Sequence, residues 1–143
     1  LSVPMLMYHL GIRFELTNEE WVGEYSFLNT RIWDSARRLE RGMYRPGQFQ
    51  CLSFGWTKPL QLGKAGAILL DDYEAYDVLL QQRYDGRNLN FSPWQAQQTF
   101  VVGYHYRPTI EDAQHGLEKL NSINEPPKYH QYPDLRDITI IGD

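Results

Sequence analysis

Two histidines lie in stretches of the sequence whose alternating pattern is typical of β-strands. His9 lies in MLMYHLGIRFEL, residues 5–16, and His105 lies in TFVVGYHYRPT, residues 99–109. In each stretch the apolar and aromatic side chains alternate along the chain, so the histidine belongs to the other face of its strand. Imidazole is the side chain best suited to proton transfer near neutral pH. We therefore predict a catalytic pair in which His105 is the general base and His9 assists it.

Three more residues of the first stretch belong to the face that carries His9. Arg13 places a guanidinium there, and we predict that it holds negative charge that develops on a substrate. Met5 and Met7 add adaptable apolar surface, which is typical of a small-molecule pocket and equally of a dimer interface. The alternative for the histidines is structural, with hydrogen bonds of the sheet or of a dimer interface satisfying both imidazoles.

Cys51 and Ser53 lie in QFQCLSFGW, residues 48–56, which also has the pattern of a strand. We predict that both contribute to the ligand-binding face, with Cys51 either a nucleophile near the histidines or a small core residue. No carboxylate stands at metal-ligand spacing beside the histidines, so no metal site is predicted. The sequence contains no glycine-rich phosphate loop and no serine-nucleophile elbow, and no cofactor is predicted.

Composition limits the classes of protein that this chain can belong to. It has 143 residues, a formal charge of −4, ten tyrosines, four tryptophans and one cysteine. A single cysteine excludes an internal disulfide, and the acidic balance makes nucleic acid an unfavoured partner. The apolar runs are far shorter than the roughly 20 residues that cross a bilayer, so no membrane association is predicted and a cytoplasmic location is expected.

Capping residues and turn residues divide the chain into predicted helices and strands. Thr17 and Glu20 have the spacing of a capping box, as do Thr109 and Asp112, and each pair predicts a helix start. Gly42 is a predicted helix stop. The predicted strands comprise residues 5–16, 48–56, 64–70, 99–109 and 137–141, the predicted helices comprise residues 17–41, 71–86 and 109–124, and residues 125–135 form an extended, proline-bearing segment.

The predicted order of elements, β-α-β-β-α-β, is that of a ferredoxin-like fold. Such an α+β fold has an antiparallel sheet with both helices on one face, and its first and fourth strands are neighbours. That placement would bring His9 and His105 together on the uncovered face. We predict one domain over residues 1–143, with a ferredoxin-like core at residues 4–107 and a C-terminal helix and strand at residues 109–143.

Two stretches of the sequence resemble a known superfamily. AILLDDYEAYDVLL, residues 67–80, and FVVGYHYRPTIEDAQHGLEKLNSI, residues 100–123, resemble the second half of dimeric α/β-barrel proteins such as antibiotic-biosynthesis monooxygenase-like domains. The likeness rests on a strand that ends near Pro108 and Thr109 and on a following helix with Asp112, Ala113 and Leu117. It implies that two ferredoxin-like sheets pack their uncovered faces into a barrel, with small-molecule sites inside it. No catalytic residue carries over from the resemblance.

The function predicted from these observations is that of a small cofactor-independent enzyme or binder. It would act on a small apolar or aromatic molecule in the pocket of a homodimeric α/β barrel. One alternative is a non-catalytic structural or interaction subunit of a larger assembly, and another is an RNA-binding ferredoxin-like domain. RNA binding ranks last because the uncovered face carries methionine, histidine and valine where exposed aromatic residues would be needed.

Overall fold

A computed structural model of the chain describes residues 1–123 and 134–139. The described part combines helices with one sheet, which confirms the predicted α+β class. That residues 1–143 form a single domain stays a prediction. The elements are α1 (Ser2–His9), β1 (Tyr25–Ser26), β2 (Ile32–Asp34), β3 (Phe49–Ser53), β4 (Gly66–Leu69), α2 (Tyr73–Gln82) and α3 (Ile110–Leu120), with short 3-10 turns at Trp94–Ala96 and Leu135–Asp137.

The sheet is mixed, with the strands in the order β1-β2-β3-β4. The pairs β1·β2 and β3·β4 are antiparallel, whereas β2 and β3 run parallel. In the parallel pair Asp34 at the end of β2 lies opposite Cys51 in β3. A ferredoxin-like arrangement is not confirmed, because the neighbouring strands follow chain order and the central pair is parallel where an antiparallel sheet was predicted.

The middle and late parts of the chain contain the elements that the sequence predicted best. Strands β3 and β4 and helices α2 and α3 all form within their predicted ranges. The Asp72 carboxylate accepts a hydrogen bond of 3.0 Å from the Ala75 amide at the start of α2. The Thr109 hydroxyl accepts one of 3.0 Å from the Asp112 amide at the start of α3. These caps satisfy amide groups that have no partner within the helix, which is why local sequence locates both starts.

The predicted strand at residues 5–16 is wrong, because its first half forms helix α1. Leucine and methionine are strong helix formers, and Pro4 lies in the first turn, where its missing N–H breaks no helical hydrogen bond. The alternating pattern of residues 10–16 remains, yet every one of these side chains is exposed and no described strand pairs with the segment. Alternation marks a strand only where another element covers the apolar face.

The predicted helix at residues 17–41 is also wrong, since strands β1 and β2 lie within it. Gly23 and Asn29 adopt left-handed backbone angles, with φ of 75° and 62°, which an α-helix does not accommodate. Ile32 and Trp33 are of the β-branched and aromatic types that favour strands. The apolar residues in this stretch therefore have the spacing of a helix although no helix forms there.

The predicted strand at residues 99–109 is wrong, since this segment is irregular and packs beside the end of α2. A bridge between Tyr84 and His105 joins it to that end, and backbone hydrogen bonds do so too, among them one of 2.6 Å from the Tyr104 amide to the Gln82 carbonyl. A methyl group on Gly103 would lie 2.5 Å from the Gly86 nitrogen, so only glycine permits this close approach. The contact explains why residues 99–109 do not join the sheet.

Two further predicted segments lie partly outside the described residues. The predicted strand at residues 137–141 begins at Asp137, which instead ends the 3-10 turn Leu135–Asp137. Residues 140 and 141 lie outside the described part of the chain, as does most of the extended segment at residues 125–135.

The interior next to the sheet is unusually polar. Met43 and Leu60 are the buried apolar side chains of the described residues, whereas Glu24, Ser35, Gln50 and Gln97 are buried polar ones. Glu24 is paired with Arg38 and Arg45 and accepts a hydrogen bond of 2.9 Å from the Ser35 hydroxyl. We call Glu24, Ser35, Arg38, Arg45 and Gln50 the Glu24 cluster. It links β2, β3 and the turns between them.

Candidate active site

Two polar residues end the two parallel strands of the sheet. Asp34 is the last residue of β2, and Ser53 is the last residue of β3. Because β2 and β3 are parallel neighbours with Asp34 opposite Cys51, both side chains belong to the same edge of the sheet. The carboxyl ends of parallel strands are where ligands commonly bind in folds that contain parallel strand pairs. We therefore treat this edge as the candidate active site.

The carboxylate of Asp34 is held by hydrogen bonds to both of its oxygens. The Tyr25 hydroxyl donates to Oδ2 over 2.9 Å, and the Ala36 amide donates to Oδ1 over 2.9 Å. Tyr25 lies opposite Asp34 in the neighbouring strand β1, so the sheet itself positions this donor. Both donors are neutral, so neither of them carries a charge that opposes that of the carboxylate.

The loop after β3, residues 54–65, carries a lysine back to this edge. The Phe54 amide donates to the Ala65 carbonyl over 3.0 Å, and the Leu62 amide donates to the Phe54 carbonyl over 2.9 Å, so the loop closes on its own base. At its tip the Lys58 amide donates to the Gly55 carbonyl over 3.1 Å. The loop is thus a closed turn with Lys58 held three residues beyond Gly55.

Gly55 leaves an open space between two functional side chains. A methyl group on Gly55 would lie 3.7 Å from Cγ of Lys58 and 3.9 Å from Oγ of Ser53. The serine hydroxyl and the lysine stem are therefore both within van der Waals reach of the position that a side chain at residue 55 would occupy.

The amine of Lys58 lies between charges of opposite sign. Partial burial lowers the pKa of Lys58, the nearby positive charge of Arg37 lowers it further, and the negative charge of Asp34 acts in the opposite direction. Within residues 1–123 and 134–139 no hydrogen bond or ion pair engages this amine. A lysine with a lowered pKa has more of its neutral form, which is the form that attacks carbonyl carbon.

Arg37 follows Asp34 on the turn that ends β2. Its Nη1 donates to the Thr57 carbonyl over 2.7 Å, and its own amide donates to the Gly23 carbonyl over 3.1 Å. The guanidinium is therefore attached to the residue that immediately precedes Lys58. One turn thus carries both the carboxylate and the guanidinium whose charges act on the Lys58 amine.

Cys51 and Ser53, both predicted as ligand-binding residues, lie at or next to this edge. Cys51 is half-buried opposite Asp34, and burial together with the Asp34 charge raises the pKa of its thiol. A raised pKa keeps the thiol protonated at neutral pH and so opposes a role as nucleophile. Whether either residue binds a ligand stays a prediction.

The residues predicted on the first strand lie elsewhere. His9 ends helix α1 and is exposed, Met5 and Met7 lie in the same helix, and Arg13 lines a shallow, open depression formed by residues 8 and 11–15. Their roles stay predictions. No strand pairing among the described residues brings His9 to His105, because neither residue lies in a strand of the sheet.

His105 is paired with a carboxylate at the protein surface. Its Nδ1 lies 3.0 Å from Oδ2 of Asp85, and 74% of the His105 side chain is exposed. The Tyr84 ring is its neighbour at 6.4 Å between centroids. A contact this exposed is well solvated and contributes little to folding, and the imidazole is accessible from outside.

Asp34, Arg37 and Lys58 are not among the site residues predicted from the sequence. Asp34 and Arg37 fell within a predicted helix, where a carboxylate and an arginine three residues apart are unremarkable. Lys58 fell in a predicted loop. The signal that could have found it is its setting, since Trp56, Pro59 and Leu60 surround it with apolar side chains that disfavour a charged amine.

Two further classes of site were sought in the described residues. No group of three or more His, Cys, Asp or Glu side chains there is arranged to hold a metal ion. Over the same residues, each helix is too short or too polar to span a bilayer.

Comparison with known proteins identifies the family. The model of the DegT/DnrJ/EryC1/StrS aminotransferase family matches residues 40–130, which are 91 of the 143 residues. The chain belongs to this family. The match includes Ser53 and Lys58, whereas Asp34 and Arg37 precede it. No curated protein and no solved structure matches the chain.

The family overturns two expectations from the sequence, the resemblance and the function. The resemblance to the dimeric α/β-barrel superfamily and its monooxygenase-like domains is wrong, because the matched family is one of aminotransferases. The predicted cofactor-independent enzyme or binder in the pocket of such a barrel is wrong for the same reason. Residues 67–80 and 100–123 resembled dimeric α/β-barrel proteins through their helix caps, which unrelated folds share. Neither alternative function, a structural subunit or an RNA-binding domain, receives support from the family.

Proposed function

We propose that this chain forms part of a pyridoxal-phosphate-dependent aminotransferase and that Lys58 is the lysine that binds the cofactor. The observation that carries the proposal is the partly desolvated Lys58 amine placed between Asp34 and Arg37 at the edge where two parallel strands end. Membership of an aminotransferase family supports the same reaction class. Enzymes of this chemistry hold the cofactor through a lysine amine and pair its pyridinium nitrogen with an acid or arginine partner.

The residues at the edge fit the chemical groups of pyridoxal phosphate. The cofactor has an aldehyde, a protonated ring nitrogen and a phosphate. Lys58 offers the amine for the aldehyde, Asp34 offers a carboxylate for the ring nitrogen, and the Ser53 hydroxyl can donate to a phosphate oxygen. The open space over Gly55 lies between the lysine stem and the serine hydroxyl. A donor set of this composition suits the whole cofactor better than it suits a simple anion.

Each residue then has a distinct task. The bound cofactor supplies an electron sink that stabilises negative charge on the carbon next to the reacting nitrogen. Lys58 would hold the cofactor and could move a proton at that carbon. Asp34 would favour the protonated form of the ring nitrogen through its negative charge. Tyr25, by donating to Oδ2 of Asp34, fixes the direction in which the carboxylate points.

Reductive trapping tests this assignment directly. The purified chain is incubated with pyridoxal phosphate, reduced with borohydride, digested and mapped by mass spectrometry. We expect the pyridoxyl group on Lys58 and its loss in Lys58→Met. Lys64 is the matched control, because it is exposed in the same loop, and Lys64→Met should leave the adduct on Lys58 intact.

A second measurement tests the reaction itself. The chain loaded with pyridoxal phosphate is mixed with a panel of amino acids, and formation of the corresponding oxo acids is followed. Oxo acid formation that is lost in both Lys58→Met and Asp34→Ala would support the proposal. An adduct spread evenly over the lysines, or one on Lys64 that survives Lys58→Met, would overturn the assignment of Lys58.

Three predictions from the sequence remain proposals beside this one. A homodimer is one of them, and many exposed apolar side chains, such as Val102 at 80% exposure, are consistent with a covering partner. Sedimentation analysis over a range of protein concentrations tests it. The other two are a small apolar or aromatic ligand and a cytoplasmic location.

A further inference from the structure

The strongest unexplained feature of the site is the arginine beside the candidate lysine. Cations repel one another, so a guanidinium next to an amine makes the charged amine less favourable. Nothing in the general chemistry of a cofactor-binding lysine requires an arginine three residues after the carboxylate. The question is what this arginine does for the neighbouring amine.

The position of Arg37 is determined by two hydrogen bonds at opposite ends of the residue. Its amide donates to the Gly23 carbonyl over 3.1 Å, and its Nη1 donates to the Thr57 carbonyl over 2.7 Å. The first bond belongs to the turn that follows β2, and the second belongs to the loop after β3. Arg37 therefore joins the two chain segments that carry Asp34 and Lys58.

The hydrogen bond from Arg37 to the loop is made at the residue next to Lys58. Thr57 directly precedes Lys58, so a guanidinium bound to the Thr57 carbonyl limits how far the lysine backbone can move from the edge. Arginine suits this role, because its planar fork is preorganised and less freedom is lost for each hydrogen bond that it forms. A lysine in its place would keep the positive charge with a more flexible donor.

The electrostatic effects on Lys58 have identified sources. Burial lowers its pKa, the Arg37 charge lowers it further and the Asp34 charge raises it. Arg37 and Asp34 belong to the same turn, while Lys58 belongs to the loop. The net effect of these two charges on the Lys58 pKa therefore depends on how the turn after β2 is placed relative to the loop after β3.

We propose that Arg37 is a positioning residue that attaches the Lys58 loop to the end of β2 and places its positive charge where it disfavours protonation of the Lys58 amine. The proposal rests on Lys58 as the reacting amine of the proposed function. It assigns two effects to Arg37, a hydrogen bond to the Thr57 carbonyl and an electrostatic effect on the Lys58 amine. Different substitutions can separate these two effects. Arg37→Gln retains a donor for the Thr57 carbonyl without the charge, and Arg37→Lys retains the charge without the fork.

The test is competitive acetylation of the cofactor-free chain with acetic anhydride at a series of pH values, read lysine by lysine by peptide mass spectrometry. In Arg37→Gln we expect the acetylation rate of Lys58 at neutral pH to fall about threefold or more, because the amine becomes more fully protonated. In Arg37→Lys we expect most of the rate to remain. Lys64 serves as internal reference, and Arg31→Gln removes a comparable exposed cation that pairs with Asp72 instead.

Two results would overturn the proposal. One is an Arg37→Gln profile for Lys58 that matches the parent chain, and the other is an equal loss in Arg31→Gln. If Arg37→Gln fails to fold, as judged by circular dichroism, Arg37→Lys carries the test. A Lys58 acetylation rate in Arg37→Lys that falls to the rate of the denatured chain would then contradict the role of charge.

The outcome is separable from that of the proposed function. Acetylation reads the Lys58 amine with no cofactor present, whereas borohydride trapping reads where the cofactor binds. A changed Lys58 profile with trapping at another lysine would sustain the role of Arg37 and overturn the proposed function alone. An unchanged profile with trapping at Lys58 would do the reverse.

Discussion

The Glu24 cluster and the candidate active site lie close together in the chain, and each contains a carboxylate and basic side chains. The two regions differ in how these charged groups contact one another. In the cluster a carboxylate with 5% side-chain exposure contacts two arginines directly. At the site the Asp34 carboxylate accepts hydrogen bonds from two neutral donors, and the lysine amine has an opposing carboxylate and a repelling arginine as electrostatic neighbours. The charged groups of the Glu24 cluster pair directly with one another, whereas Asp34 and Lys58 at the site form no direct ion pair among the described residues.

The difference separates stability from reactivity. Burial alone raises the pKa of Glu24, yet hydrogen bonds from Arg45 and Ser35 and the charge of Arg38 outweigh it and bring the pKa below the ordinary value. The cluster therefore remains ionised and holds β2, β3 and their turns together. At the site, burial of Lys58 is not offset by a direct partner among the described residues. The free energy that a direct ion pair would contribute is absent there, and the lowered pKa of Lys58 gives its amine a larger neutral fraction.

The largest effect is expected from removing the charge at the centre of the cluster. Glu24→Gln leaves Arg38 and Arg45 without their shared carboxylate and should lower the free energy of unfolding by about 3 kcal/mol. Urea unfolding followed by tryptophan fluorescence measures it. The matched control is Glu40→Gln, which also removes a partner of Arg38 but at a side chain that is 36% exposed, and should change stability by at most about 1 kcal/mol. Equal effects would contradict the distinction.

The same cluster should make stability depend on pH in the acid range. The folded pKa of Glu24 lies below its ordinary value of 4.5, so its contribution is fully present above that pH and is lost as the pH falls through the folded pKa. We expect the urea midpoint to fall on acidification and to fall less in Glu24→Gln. Hydrogen bonds to Asp71 and Asp72 also lower their pKa values, so the variant should retain a smaller slope. Parallel curves would contradict this prediction.

A smaller loss of stability is expected at the carboxylate of the site. Asp34→Asn keeps an acceptor for one of the two donors and should cost about 1 kcal/mol of unfolding free energy. The acetylation rate of Lys58 at neutral pH should rise at the same time, because the charge that favours the protonated amine is gone. Urea unfolding and lysine-resolved acetylation measure the two effects. A slower rate would show that Asp34 does not act on Lys58 as described.

The smallest effect on stability is expected at the lysine. Lys58→Met replaces a partly desolvated amine with an apolar side chain of similar length and should change the free energy of unfolding by about 0.5 kcal/mol or less. The same substitution should abolish cofactor trapping. Thermal unfolding of the parent and variant chains provides the comparison. A loss as large as that of Glu24→Gln would mean that Lys58 stabilises the fold, which would remove the contrast between the two regions.

The sequence predicted the elements whose causes are local. Asp72 and Thr109 cap helices α2 and α3 through side chains that lie three residues before the amides they satisfy. The short apolar run at Gly66–Leu69 forms a strand whichever strand it pairs with. Ser53 and Cys51 were chosen for the strand they share, and that strand exists. Each of these inferences needed only neighbours along the chain.

The tertiary structure decided everything that depends on partners distant in sequence. Residues 5–16 alternate as a strand would, yet they pair with no described strand and begin as a helix. The parallel pairing of β2 with β3 brings Asp34 to Cys51, and the loop after β3 brings Lys58 to both charges of the turn. Local patterns specify capping and propensity, whereas a site is defined by distances between segments, and these are set by packing and strand pairing across the whole chain.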